Sequence, residues 1–191
     1  MRKILKLGLF LCIVAGIAGL SISYVNGVTY PIIQEQMEKE KLASFQEVYP
    51  GAGEVKDESS TYLKSSSDST LTEVNVVYQE NKPVGVIYTT EPVGYGGVIQ
   101  LLVGMDIAGK DITAIKVLSQ TETPGLGTNA QKSFFTDRFK GKAAESMLEV
   151  VTKEPVGDHQ VLAITSATIT SKAVNVGVNA ARQHFLDNFI E

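Results

Sequence analysis

Hydrophobic and polar positions change period several times along the chain, and each change predicts an element. Residues 7–25 (LGLFLCIVAGIAGLSISYV) carry no charge and are about long enough to cross a bilayer as one helix. Residues 31–49 predict a second, charged helix, with Pro31 near its first turn and Pro50 and Gly51 ending it. Its apolar positions Ile33, Met37, Leu42, Phe45 and Val48 form an irregular stripe, which suits a stalk without chemistry. Residues 56–70, rich in Ser, Asp and Lys, predict a surface loop. The period then becomes two: Val74, Val76 and Tyr78 alternate with Asn75, Val77 and Gln79. Asn81, Lys82 and Pro83 supply a turn before a second strand over 84–90. Strands over 98–105 and 112–118 make another hairpin around Ala108, Gly109 and Lys110. Residues 130–139 predict a short helix with Phe134, Phe135 and Phe139 as core candidates. Residues 162–188 open with hydroxyls and then become an amphipathic helix with Val174, Val178, Ala181 and Phe185 on one face. The fold class is α+β: a mainly antiparallel sheet flanked by helices, behind one N-terminal transmembrane helix.

Charge orients that helix. Arg2, Lys3 and Lys6 precede the apolar run, and no Lys or Arg follows until Lys39. The positive-inside rule puts the N-terminus in the cytoplasm and the remainder outside it, with Tyr24 and Tyr30 at the outer interface. A cleaved signal peptide is the rival reading; the run is longer than a typical signal core, which favours a retained anchor. Small residues such as Gly8, Ala15, Gly16 and Gly19 suit close approach of neighbouring membrane helices.

Composition removes several classes of function. With 17 Lys and Arg against 21 Asp and Glu, the net charge of −4 offers no basic footprint for nucleic acid. The single cysteine, Cys12, lies in the apolar run and allows neither an internal disulfide nor a cysteine metal cage. His159 and His184 have no partner at ligand spacing, so no metal site is expected. Neither a dinucleotide fingerprint nor a His/Asp/Glu constellation for proton abstraction is present.

Three stretches carry candidate chemistry. In the first, Thr165, Ser166, Thr168, Thr170 and Ser171 surround Ala167 at the start of the last helix. Such a cluster is ordinary N-capping, and the same helix end is also a place for a phosphate. The second is Gly94, Tyr95, Gly96 and Gly97, which reads as a glycine-rich bend. The third runs Glu122, Thr123, Pro124, Gly125, Leu126 and Gly127, a Pro-Gly turn after the fourth strand. Its glycines would let backbone approach a flat ring, Leu126 offers an apolar face, and N–H groups freed by the turn would bond ring carbonyls.

Thr165-Ser166-Ala167-Thr168 followed by Ile169-Thr170-Ser171 resembles the flavinylation motif of the G component of the Rnf complex. The related C component of the sodium-pumping NADH:quinone oxidoreductase carries the motif too. In those families FMN is joined through its phosphate to the last threonine of the first four residues, which is Thr168 here. Ser166 stands where glycine is usual and Leu162 where an aspartate often precedes the motif; serine would tolerate that position unless it needs positive φ. The family also carries a similar Gly-Tyr-Gly-Gly near the flavin and the same Glu-Thr-Pro-Gly-Leu-Gly, in the same order. The resemblance covers most of the chain.

The resemblance implies a membrane-anchored flavoprotein electron carrier with covalent FMN. It implies a part in a complex that couples ferredoxin/NAD electron transfer to movement of sodium ions or protons. The expected partners are the other membrane subunits, including a second flavinylated one, and a flavin transferase for maturation. The redox chemistry would belong to the cofactor, so no self-contained active site is expected. Residues 1–27 would be the cytoplasmic end and anchor, 28–70 stalk and loop, and 71–191 an extracytoplasmic FMN-binding domain. The alternatives are the corresponding part of the sodium-pumping quinone reductase and a non-redox, membrane-anchored ligand-binding module.

Overall fold

A computed structural model describes residues 2–63, 69–154 and 156–190. The chain divides into two units, Met1–Leu42 and Ala43–Glu191. The first belongs to α1 (Arg2–Val48), a single helix of 47 residues. Part of α1 is long and apolar enough to cross a membrane. Pro31 does not begin a second helix, as its position in the sequence suggests, but lies inside α1. It removes one backbone donor, and the other hydrogen bonds of the helix carry the backbone past it.

The second unit is built on a five-stranded antiparallel meander: β1 (Glu54–Asp57), β2 (Leu71–Gln79), β3 (Lys82–Thr90), β4 (Gln100–Asp106) and β5 (Asp111–Ser119), in that spatial order. Two parts of the sequence-based picture are corrected here. Residues 56–70 are not one loop. Lys56 and Asp57 pair with Val76 and Asn75, and Ser59–Tyr62 forms α2; residues 64–68 of that predicted loop lie outside the described residues. The compact unit to which these residues belong spans Ala43–Glu191. The turn between β2 and β3 also sits earlier than expected. Glu80 and Asn81 have φ of 50° and 63°, the double left-handed pattern of a two-residue hairpin, and Lys82 and Pro83 already belong to β3. Pro83 is tolerated where the β2–β3 register shifts beside Tyr78.

Both sheet faces are covered, which is why the strict alternation read in residues 74–79 holds only in part: Val76 and Val77 are both buried. One face packs on Phe45, Val48 and Tyr49, the last turn of α1 and the residue after it. The other packs on α4 (Thr168–Phe189), whose Val174, Val178, Ala181 and Phe185 are fully buried as their spacing predicts. Burial of each of the two valines and of the phenylalanine contributes about 1.5–3 kcal/mol, and the alanine methyl less. The helix sits close to the sheet at Gly177, where a Cβ would lie 2.6 Å from Thr90 Oγ1.

Between β5 and α4 the chain is mostly short pieces. The predicted helix over 130–139 resolves into a 3₁₀ turn (Gly127–Gln131) and a single helical turn, α3 (Ser133–Thr136). Phe135 and Phe139 join the core, edge to face at 5.5 Å, whereas Phe134 is 49% exposed and is not a core residue. A small parallel pair, β6 (Glu149–Val151) and β7 (Gln160–Leu162), then leads directly into the hydroxyl-rich stretch before α4.

Candidate functional site

The three chemically suggestive stretches converge on one cavity of about 550 Å³ in the second unit. Tyr95 comes from the bend after β3, Glu122, Thr123, Leu126 and Gly127 from the turn after β5, and residues 166–170 from the start of α4.

The start of α4 is built differently from a hydroxyl N-cap. The capping position is Ala167, and no side chain caps the helix. The first backbone bond closes from Ser171 N to Ala167 O at 3.0 Å, so the N–H groups of Thr168, Ile169 and Thr170 have no partner within the helix. Two of the hydroxyls that sequence reasoning offers as caps or phosphate donors are committed elsewhere. Ser171 Oγ donates to Ala167 O at 3.0 Å and accepts from Ile164 N at 2.9 Å. Thr170 Oγ1 donates to Glu122 Oε2 at 2.6 Å, and both residues are buried. Thr165 is exposed and does not line the cavity. Thr168 is half-buried, lines the cavity and makes no side-chain hydrogen bond among the described residues. Ser166 has φ of +64°, so the position does ask for the left-handed backbone that glycine adopts without cost.

The turn after β5 uses three of its N–H groups internally. Gly125 N donates to Thr128 Oγ1 at 2.9 Å, and Leu126 N and Thr128 N both donate to Thr123 O. Asn129 Nδ2 closes the other side on Gly125 O at 2.8 Å. Gly125 is needed for its φ of +76°, and the space around its missing Cβ is open. This side presents Leu126 and the backbone of Gly127 to the cavity, with Tyr95 (69% exposed) on the bend.

Glu122 joins the three stretches. Its carboxylate is 4% exposed and accepts from Gly96 N at 2.9 Å and from Thr170 Oγ1 at 2.6 Å. Thr121 Oγ1 returns a bond to Gly96 O at 3.1 Å. Gly94, Gly96, Pro124, Gly125, Thr165 and Ser171, six of the residues singled out from sequence, do not line the cavity. Two others escaped sequence reasoning. Ile169 lines the cavity while remaining exposed, and an apolar residue in a hydroxyl run gives no sign of that. Arg138 donates through Nη1 to the carbonyls of Leu162 and Ala163, bracing the backbone that enters the stretch. Its 24-residue separation from Leu162 leaves no local signal.

A flavin mononucleotide matches these surroundings. The volume is in the range of small-molecule sites. An uncapped helix start suits a phosphate, and the faces of Tyr95 and Leu126 suit a flat, amphipathic ring.

The sequence profile of the FMN-binding domain family matches residues 94–183, which takes in all three stretches and most of α4. The chain is 35% identical over 193 residues to the G component of the Na(+)-translocating ferredoxin:NAD(+) oxidoreductase complex of Acetobacterium woodii, covering 95% of this chain and 91% of that protein. It is 33% identical to the G component of the ion-translocating oxidoreductase complex of Salmonella typhi, over 96% of this chain and 90% of that one. Among solved structures, the C component of the Na(+)-translocating NADH-quinone reductase of Parabacteroides distasonis superposes with a TM-score of 0.51 at 28% identity. That match spans 62% of each chain, less than two thirds of the solved protein.

Proposed function

The chain belongs to the G-component family of Rnf-type ion-translocating oxidoreductase complexes, and on that premise we propose that it carries FMN as a phosphoester on Thr168. It is a flavoprotein subunit of a redox-driven, ion-translocating complex, and other subunits of that complex are its partners. The quinone-reductase reading accounts for less of the chain, since that likeness covers 62% against 95% for the Rnf-type relative. A ligand-binding module without redox chemistry leaves the FMN-binding match and the Rnf-type likeness unexplained.

One observation carries the attachment reading: of the hydroxyls in the run, Thr168 alone is half-buried, lines the cavity and has an uncommitted oxygen. Thr170 and Ser171 are tied down, Thr165 lies outside the cavity, and Ser166, which also lines the cavity, is exposed. Thr168 Oγ1 would lose its proton and form a P–O bond to a pyrophosphate-activated flavin, whose nucleoside monophosphate departs. A separate flavin transferase would catalyse that exchange. The N–H groups of Thr168, Ile169 and Thr170 would then hold the phosphate oxygens, and Tyr95, Leu126 and Ile169 would flank the ring. Bound there, the flavin supplies the electron transfer, and the ester prevents its loss. A second flavinylated subunit would exchange electrons with it.

Intact mass and in-gel flavin fluorescence test the site. With a co-expressed transferase, Thr168→Ala should lose the FMN mass and all fluorescence, while Thr165→Ala keeps both. Fluorescence retained by Thr168→Ala would refute the assignment.

The same reading has residues beyond Asn26 outside the cytoplasm, because Arg2, Lys3 and Lys6 hold the other end inside. In a Cys12→Ala background, a cysteine at the exposed hairpin turn, Glu80→Cys, should react with an impermeant maleimide in intact cells. Labelling only after lysis would reverse the orientation.

A further inference from the structure

Glu122 is the least expected residue of the site: a carboxylate withdrawn from water, with no salt bridge among the described residues. Desolvating a carboxylate is unfavourable unless donors replace its water. Here the donors come from two different segments, Gly96 N on one oxygen and Thr170 Oγ1 on the other. Its own N–H is held by Gln120 Oε1 at 2.6 Å.

The glycines around it repeat the same geometry. A Cβ at Gly94 would lie 2.3 Å from Glu122 Oε1, and one at Gly127 would lie 2.5 Å from Glu122 Oε2. A Cβ at Gly96 would meet Thr121 O at 2.2 Å. These distances are too short for any real Cβ, so the three glycines are required by the packing of the protein around residues 121–122. Packing thus accounts for Gly94, Gly96 and Gly127 without a ligand.

We infer that Glu122 is the positioning residue of the flavin site: its carboxylate sets the spacing of the bend, the turn and the start of α4. This rests on the FMN reading above. Each segment brings one part of the surroundings, Tyr95 and Leu126 for the ring and the helix start for the phosphate. Without the carboxylate, Gly96 N and Thr170 Oγ1 lose their common partner and the segments their shared register.

The test uses the full-length protein purified with co-expressed transferase, and compares Glu122→Ala, Glu122→Gln and Thr170→Val. Folding is checked by far-ultraviolet circular dichroism. Covalent occupancy is read by intact mass, and the visible circular dichroism of the attached flavin reports its surroundings. Glu122→Ala should lower occupancy about tenfold, the scale expected for losing charge-assisted hydrogen bonds. The flavin it does carry should show an altered visible signal. Glu122→Gln should recover most of both readouts, because its carbonyl accepts from Gly96 N and its amide donates to Thr170, whose hydroxyl turns to accept. Thr170→Val should give part of the Glu122→Ala effect, and the double variant should be no worse than Glu122→Ala. Wild-type occupancy and visible signal in folded Glu122→Ala would overturn the inference. So would a Glu122→Gln as impaired as Glu122→Ala. If Glu122→Ala does not fold, Thr170→Val decides: an unchanged visible signal and occupancy in that variant also overturns it. Failure of the attachment reading is distinguishable, since it would show either as an ester retained by Thr168→Ala or as a wild type that carries no ester. Positioning would in that case be read from free-FMN titrations of the same variants.

Discussion

The turn after β5 and the start of α4 face one cavity but use their polar groups in opposite ways. In the turn, backbone N–H groups of Gly125, Leu126 and Thr128 are all consumed within residues 123–128. From this turn the cavity is lined by Thr123, Leu126 and Gly127. At the start of α4 the side chains of Thr170 and Ser171 are consumed, and the first backbone N–H groups of the helix are left without side-chain caps. The first arrangement suits a flat ring that needs a wall, the second an anion that needs donors. A loop with several hydroxyls and several glycines therefore need not offer either to its ligand.

Substitutions at three positions should separate the two sides, and they rank by how much of the junction each disturbs. Gly127→Ala acts on both, because its Cβ would stand 2.5 Å from Glu122 Oε2 and 2.8 Å from Thr170 Oγ1. Overpacking of this kind costs about 2 kcal/mol, which should lower the melting temperature by about 5 °C. Flavin occupancy should fall with it. A melting temperature within error of wild type would mean that the junction relaxes freely.

Gly125→Val confines the damage to the turn. Open space surrounds the position, so the penalty comes from a φ of +76° and should be about 1–2 kcal/mol. Attachment at Thr168 should persist in the folded fraction, while the absorption maximum or midpoint potential of the flavin shifts. An unchanged spectrum and potential would detach this turn from the ring.

Ser166→Gly is the mildest change and acts on the helix side alone. It removes a left-handed cost of about 1 kcal/mol and adds roughly 0.5 kcal/mol of unfolded-chain entropy, for a net gain of about 0.5 kcal/mol. Thermal unfolding should shift up by a degree or two, with the flavin spectrum unaltered. A loss of stability would show that the serine hydroxyl contributes more than its backbone costs.

The long apolar run, the two hairpins and the buried face of α4 were legible because periodicity and turn residues act locally. The motifs were legible too, as an order of unusual residues that resembles a known family. Local reading left open what those residues meet in the fold. It offered Thr170 and Ser171 to a phosphate and the glycines to a ring, since residue type states what a group is capable of and not what it meets. Their partners come from far along the chain. Gly96 lies 26 residues from Glu122 and Thr170 lies 48, and only the packing of β3, β5 and α4 brings them together. The same holds for Phe134, indistinguishable in sequence from Phe135 yet turned to solvent because one helical turn has a single buried side. Local pattern determined the elements of this protein; long-range hydrogen bonding and close packing decided which of its polar groups remain open to a ligand.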